Sequence, residues 1–269
     1  MSSLANTITS IAIGSFDGLH IAHQKLIEQA EGVVVIERGS GYLTPGYKRS
    51  WYSDKPLFFY LFDTIKDLSA AQFVARLKHD FPQLERVVVG YDFGFGQGRQ
   101  GDAMHLDTLF DGEVVIVDEV KLEGISVHSR VIREFLQVGD VASANRLLGR
   151  TYRIDGEVVS GQGLGARELV PTLNLVVRQY QLPRNGVYAT RTLVDDRWLP
   201  SVSFIGHRET TDGSFAVETH VIGREIGTIR GRVWIEFVGF VRENRRFDGL
   251  EALKDQIMQD IATAKSMTI

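Results

Sequence analysis

The chain contains no cysteine. Disulfides, cysteine-ligated zinc and thiol nucleophiles are therefore excluded, and the composition fits a reducing cytosol. Long apolar runs are missing as well, and none approaches the ~20 residues that a membrane-spanning helix needs. The opening MSSLANTITS has no charged region followed by an apolar core, so a secretory signal peptide is not expected. Basic blocks are also absent. With 30 Lys and Arg against 34 Asp and Glu the net charge is −4, which leaves nucleic-acid binding without electrostatic support. No G-x-x-x-x-G-K-[ST] segment occurs, so a P-loop kinase is excluded. The expectation is a cytoplasmic protein with neither nucleic-acid nor membrane partners.

What is present points to two domains. At 269 residues, with 43% hydrophobic content, the chain has material for one large or two modest cores. Strands alternate with helices through residue 148, which predicts an α/β domain with a parallel sheet. From Tyr152 onward six apolar stretches are separated by turn residues, which predicts a closed antiparallel β-barrel. A final helix from about Leu250 would lay Leu250, Leu253, Ile257 and Ile261 along one stripe, plugging the barrel or packing on it. The expected domains are 1–148 and 149–269.

The stretch Ile11–Ala30, IAIGSFDGLHIAHQKLIEQA, reads as strand, glycine turn and helix. His20 and His23 are three apart on the first turn, so both rings can reach one ligand. Unpaired N–H groups at such a helix start favour a phosphate. A metal pair or an idle surface pair is the alternative reading, although a metal site would want further ligands nearby.

Glu37–Asp54 has weak periodicity and reads as irregular. Ser69 and Gln72 form a capping box before a helix bearing Phe73, Leu77 and Phe81. Gly96, Gly98 and Gly101 spell G-x-G-x-x-G, but Tyr91–Phe95 separates them from the preceding strand, so a Rossmann site is rejected. Ile125–Arg133 is read as opening a helix, and Val141–Leu148 as a second one ending at Gly149. Gly161–Gly165 is a glycine-rich turn, followed by Pro171-Thr172-Leu173-Asn174. Thr and Asn oxygens suit Mg²⁺, and a strand entry with a capping Thr is the alternative.

GSFDGLHIAH resembles the G-x-F-D-G-x-H-x-G-H signature of the bacterial bifunctional riboflavin kinase/FMN adenylyltransferases (FAD synthetases), matching at Gly14, Phe16, Asp17, Gly18, His20 and His23. Ala22 stands where that family has glycine. GYDFGFGQGRQGD resembles a second family segment, and the order of motifs after residue 149 is similar to the riboflavin kinase domain. The resemblance implies a nucleotidyltransferase domain with a Rossmann-like parallel sheet, then a riboflavin kinase barrel with a terminal helix. It implies phosphorylation of riboflavin to FMN and adenylylation of FMN to FAD, with ATP as co-substrate and Mg²⁺ as cofactor. By the same resemblance His20 and His23, with Gly14, Phe16, Asp17, Gly18 and Arg133, bind ATP phosphates. Asp92, Phe93 and Phe95 lie on the flavin side. Gly163 and Gly165 approach the kinase ATP, Thr172 and Asn174 hold Mg²⁺, and Glu218 is the general base. The chain departs from the family at Ala166 and Leu169, where the kinase loop carries Arg and Gly, at His128 and Arg130, and in lacking a Pro-His-Pro segment. Those departures motivate two rivals: an FMN adenylyltransferase with a catalytically weak flavin-binding barrel, and a non-catalytic flavin-binding regulator.

Overall fold

The computed structural model describes residues 3–39, 42–160 and 169–268. By contacts the chain divides into two compact units, Met1–Ser129 and Arg130–Ile269.

The first unit is built on a five-stranded parallel sheet. Its strands are β1 (Ser10–Gly14), β2 (Gly32–Glu37), β3 (Leu57–Leu61), β4 (Arg86–Gly90) and β7 (Glu113–Val117), in the order β3-β2-β1-β4-β7. β1 and β2 are apolar and buried almost throughout, as strands covered on both faces must be. Side-chain alternation then splits the core in two. Ile11, Ile13, Val34 and Val87 pack with Phe73 and Leu77 of α2 (Ala70–Asp80) and Leu106 of α3 (Ala103–Leu109). Ala12, Val33, Val35 and Val88 pack on the other face with Leu26 and Ile27 of α1 (Ile21–Ile27). The capping box opening α2 is formed in full by Ser69 and Gln72. In this strand order the connections diverge between β1 and β4. That crevice, beyond the carboxyl ends of the strands, is where open α/β sheets bind ligands.

Of three local readings, two are corrected. Gly96, Gly98 and Gly101 belong to a small hairpin, β5 (Gly94–Phe95) with β6 (Gly101–Asp102), as the rejection of a Rossmann site requires. The helix read from Ile125 begins only at Ser129. Ile125–Ser126 is strand β9, paired with β8 (Lys121–Leu122) through a turn in which Glu123 and Gly124 both have positive φ. Residues 42–54 are ordered around a 3-10 helix, Gly46–Tyr52. Arg49 is fully buried there, at hydrogen-bonding distance from the Glu37 carboxylate.

The second unit begins with α4 (Ser129–Gln137) and α5 (Val141–Leu148), the latter ending on Gly149 in the left-handed region, as expected for a residue just past a helix. A closed barrel follows in the order β10-β11-β14-β13-β12-β15. Its strands are β10 (Tyr152–Val159), β11 (Leu173–Val177), β12 (Gly186–Val194), β13 (Arg197–His207), β14 (Phe215–Val221) and β15 (Arg232–Glu243). Asp195 and Asp196, both at positive φ, make the two-residue turn between β12 and β13.

Inside the barrel lie Tyr152, Tyr188 and Phe237, together with five buried hydroxyls. Thr190, Ser201, Thr192, Thr219 and Ser203 form a closed ring of hydrogen bonds of 2.8–3.1 Å. Ser203 donates to Thr219. Because each hydroxyl has one proton, the other four bonds run in the same sense, and each hydroxyl donates once and accepts once.

The terminal helix α6 (Leu250–Thr268) packs on β12, β13 and β15. Ala264 meets Val187, Ala189 and Val202 on the opposite side of the strands from the hydroxyls. The expected stripe is only partly right, since Leu250 is exposed and the two fully buried residues are Asp260 and Ala264. Among the described residues no helix is long and apolar enough to cross a membrane.

Candidate active sites

The first site follows β1. Phe16 and Leu19 have positive φ, an unusual conformation for side chains of that size, and both are fully buried. Phe16 is thus a wedge under the turn, its ring 5.1 Å from that of His23. Gly18, at φ 89°, takes a conformation that suits glycine. Asp17 is buried, and its carboxylate accepts the backbone N–H groups of Leu43 (3.1 Å) and Thr44 (3.0 Å). Its own carbonyl accepts the Ser129 hydroxyl at 2.7 Å. The carboxylate therefore braces the turn from behind.

His20 is the N-cap of α1 rather than its first turn, its Nδ1 accepting the His23 N–H at 3.3 Å. A neutral His20 in this arrangement carries its proton on Nε2. The two imidazoles stack, with centroids 3.5 Å apart and planes 14° from parallel. The structure thus brings His20 and His23 together beside Gly14 and Gly18 at the end of β1. Asp92 is exposed after β4, and Phe93 is half-buried, its ring stacked on Phe95 at 5.5 Å. Phe95 itself is in the core against Phe73, supporting Phe93 from below. His128, in the family's hydroxyl position, hydrogen-bonds the Tyr91 hydroxyl at 3.0 Å. Arg133 lies on α4, in the second unit.

The second site is a cavity of about 310 Å³ on the outer face of the barrel, bounded by α6 and the turn after β13. Strand register delivers its polar groups. Asn174 of β11 is opposite Glu218 of β14, and Phe204 of β13 is opposite Glu218 on the other side. Thr172 and His220 line the same space, His220 Nδ1 lying 2.8 Å from the Pro171 carbonyl. Val187, Val202, Leu253 and Ile257 supply an apolar floor.

Arg208 was outside the expected site, and it sits at the centre of the polar cluster. Its Nη2 donates to Glu218 Oε1 at 2.5 Å and to Asn174 Oδ1 at 2.8 Å, and its Nε donates to the same Glu218 oxygen at 2.8 Å. Gly206, at φ 147°, turns the chain just before it. At the far end Arg242 holds Asp260 in a two-pronged ion pair of 2.7–3.0 Å, which fastens α6 to β15. Phe247 there is flanked by the guanidinium groups of Arg242 and Arg245. An arginine in a strand-to-turn segment carries no periodic signal, and it is the spatial pairing with Glu218 that gives Arg208 its place in the cluster. Gly163, Gly165 and Ala166 lie outside the described residues. Leu169 lines the cavity entrance.

A family model described as FAD synthetase matches residues 54–131, and one described as riboflavin kinase matches 148–268. The bifunctional riboflavin kinase/FMN adenylyltransferase of Pseudomonas fluorescens is 31% identical over 95% of this chain and 91% of its own length. The enzyme of the same description from Escherichia coli strain K12 is 28% identical, with the same two coverages. A crystal structure described as a macrolide-efflux protein from Streptococcus pneumoniae superposes with a TM-score of 0.85 at 24% identity, covering 96% of this chain and 93% of that one, a likeness of fold. The chain belongs to the family of bifunctional riboflavin kinases/FMN adenylyltransferases.

Proposed function

We infer that the chain performs two consecutive transfers of FAD biosynthesis. Riboflavin is phosphorylated to FMN by ATP, and FMN is adenylylated by a second ATP to FAD with release of pyrophosphate. Similarity to bifunctional enzymes along 95% of the chain is the observation that carries this reading. The single-activity and non-catalytic rivals are not favoured, because each half matches its own family model.

We assign the kinase to residues 149–269 and the adenylyltransferase to residues 1–148. In the kinase, Glu218 takes the proton of the riboflavin 5′-hydroxyl while that oxygen attacks the γ-phosphorus of ATP and ADP leaves. The cavity's oxygen donors fit Mg²⁺, with Thr172 and Asn174 as its protein ligands. Among the described residues no group of three or more His, Cys, Asp or Glu is gathered as a metal cage, and Mg²⁺ commonly needs only one or two protein groups beside phosphates and water. Bound with ATP, Mg²⁺ would neutralise charge on the phosphates. Gly163 and Gly165 are assigned to the same ATP.

In the adenylyltransferase, His20 and His23 donate to the phosphates of ATP while an FMN phosphate oxygen attacks the α-phosphorus. Gly14 and Gly18 let the chain approach those phosphates, and Phe16 and Asp17 hold the turn. Asp92 and Phe93, with Phe95 behind them, meet the flavin. Adenylyl transfer relies on positioning and charge neutralisation, which suits such a site. A cytoplasmic location is part of the same proposal.

The test is a time course of the purified chain with riboflavin, ATP and Mg²⁺, with flavins separated by chromatography. FMN appears first and FAD later if both activities are present. FAD formed from supplied FMN, with nothing formed from riboflavin, would leave the adenylyltransferase alone.

A further inference from the structure

We propose that Arg208 is a positioning residue for the kinase reaction: it selects which oxygen of Glu218 acts and couples that carboxylate to Asn174. The proposal rests on the kinase reading above. Two N–H groups of one guanidinium converge on Glu218 Oε1, at 2.5 and 2.8 Å, and the shared Nη2 reaches Asn174 Oδ1 at 2.8 Å. Among the described residues no protein donor is assigned to Glu218 Oε2, so this oxygen is the one left to accept a substrate proton. The cross-strand pair of Asn174 and Glu218 sets the two backbones opposite each other, and one guanidinium bonds both side chains.

Arg208 is itself aimed. Its Nη1 donates to Ser214 Oγ at 2.6 Å, and that hydroxyl lies 2.8–2.9 Å from both carboxylate oxygens of Asp212. The Arg208 N–H donates to the Ser214 carbonyl at 2.9 Å, while its carbonyl accepts Thr211 and Gly213 N–H groups at 3.0 and 3.1 Å. The short turn after β13 is thus a bracket for one side chain. Both members of the ion pair are only about one-fifth exposed, which limits screening by water and salt. The Nη2 contact also fixes the orientation of the Asn174 amide.

The test measures riboflavin phosphorylation by the full chain with Mg²⁺ and ATP, in wild type, R208A, R208K and the R208A/E218Q pair. R208A is expected to lose about a hundredfold in kcat, the scale of a misplaced reacting group, with the riboflavin KM within about threefold. Guanidinium ion added at millimolar concentration, far below denaturing levels, should restore part of the R208A rate. It should restore nothing in R208A/E218Q, because the ion acts through Glu218. R208K should stay at least tenfold below wild type, since one ammonium cannot make the three-bond span. Wild-type kcat in R208A or in R208K, a loss confined to KM, no gain from guanidinium in R208A, or a gain in the double variant would each overturn the proposal. A wild-type chain that makes no FMN would instead overturn the kinase reading, and the proposal with it.

Discussion

The two sites are made by different means. The one after β1 is a backbone device: positive φ at Phe16, Gly18 and Leu19, a buried carboxylate bracing the turn, and a histidine serving as N-cap. The one on the barrel is a side-chain device, in which strand register lines up Asn174, Glu218 and Phe204 and an arginine locks two of them. A turn-built site couples chemistry to local folding, so its residues have structural and functional duties at once. A register-built site separates them, because inward positions hold the barrel while outward positions face the cavity.

That contrast can be broken or sharpened experimentally. The largest effect is expected at Glu218. Glu218→Gln should lower FMN formation by about a thousandfold, within the usual range for a general base, while FAD formation from supplied FMN and the melting temperature stay near wild type. Retention of FMN formation would remove Glu218 as the base. His20→Ala should lower FAD formation from FMN by about a hundredfold and also lower the melting temperature, because phosphate donor and N-cap are lost together. A loss of activity without any loss of stability would show the turn site to be as separable as the barrel site. Asp17→Asn should cost about 1–3 kcal/mol, since the amide must set an N–H against one of two backbone N–H donors; denaturant titration measures this. Ser201→Ala opens the hydroxyl ring and should cost about 1–2 kcal/mol, with FMN formation little changed. A collapse of FMN formation in Ser201→Ala would mean that inside and outside of the barrel are coupled after all.

Much of the fold was legible because it depends on near neighbours. Apolar stretches and turn residues announced the six-stranded barrel after Tyr152, and Ser69 with Gln72 announced the start of α2. The order of residues 42–54 was not legible, because it comes from buried pairs between distant residues. Arg49 with Glu37, and Asp17 with Leu43 and Thr44, look like ordinary polar residues until the chain is folded. The terminal helix shows the same limit. Its apolar pattern pointed to Leu250, while burial belongs to Asp260, which only a partner such as Arg242 on β15 makes tolerable. Phe95 lies in the core while Phe93 is half-buried, a difference not legible beforehand because a hairpin of two-residue strands has no periodicity to tell its faces apart.

By itself the sequence determined the α/β-then-barrel order and the strand and helix types, because patterning is a local property, and it put forward candidate residues for phosphate, metal and flavin through their chemistry and their resemblance to the family. Tertiary structure decided which of those residues brace a turn, which face a cavity and which guanidinium holds Glu218. Those choices depend on contacts between strands far apart in the chain, where burial and pairing, rather than spacing, set the energy.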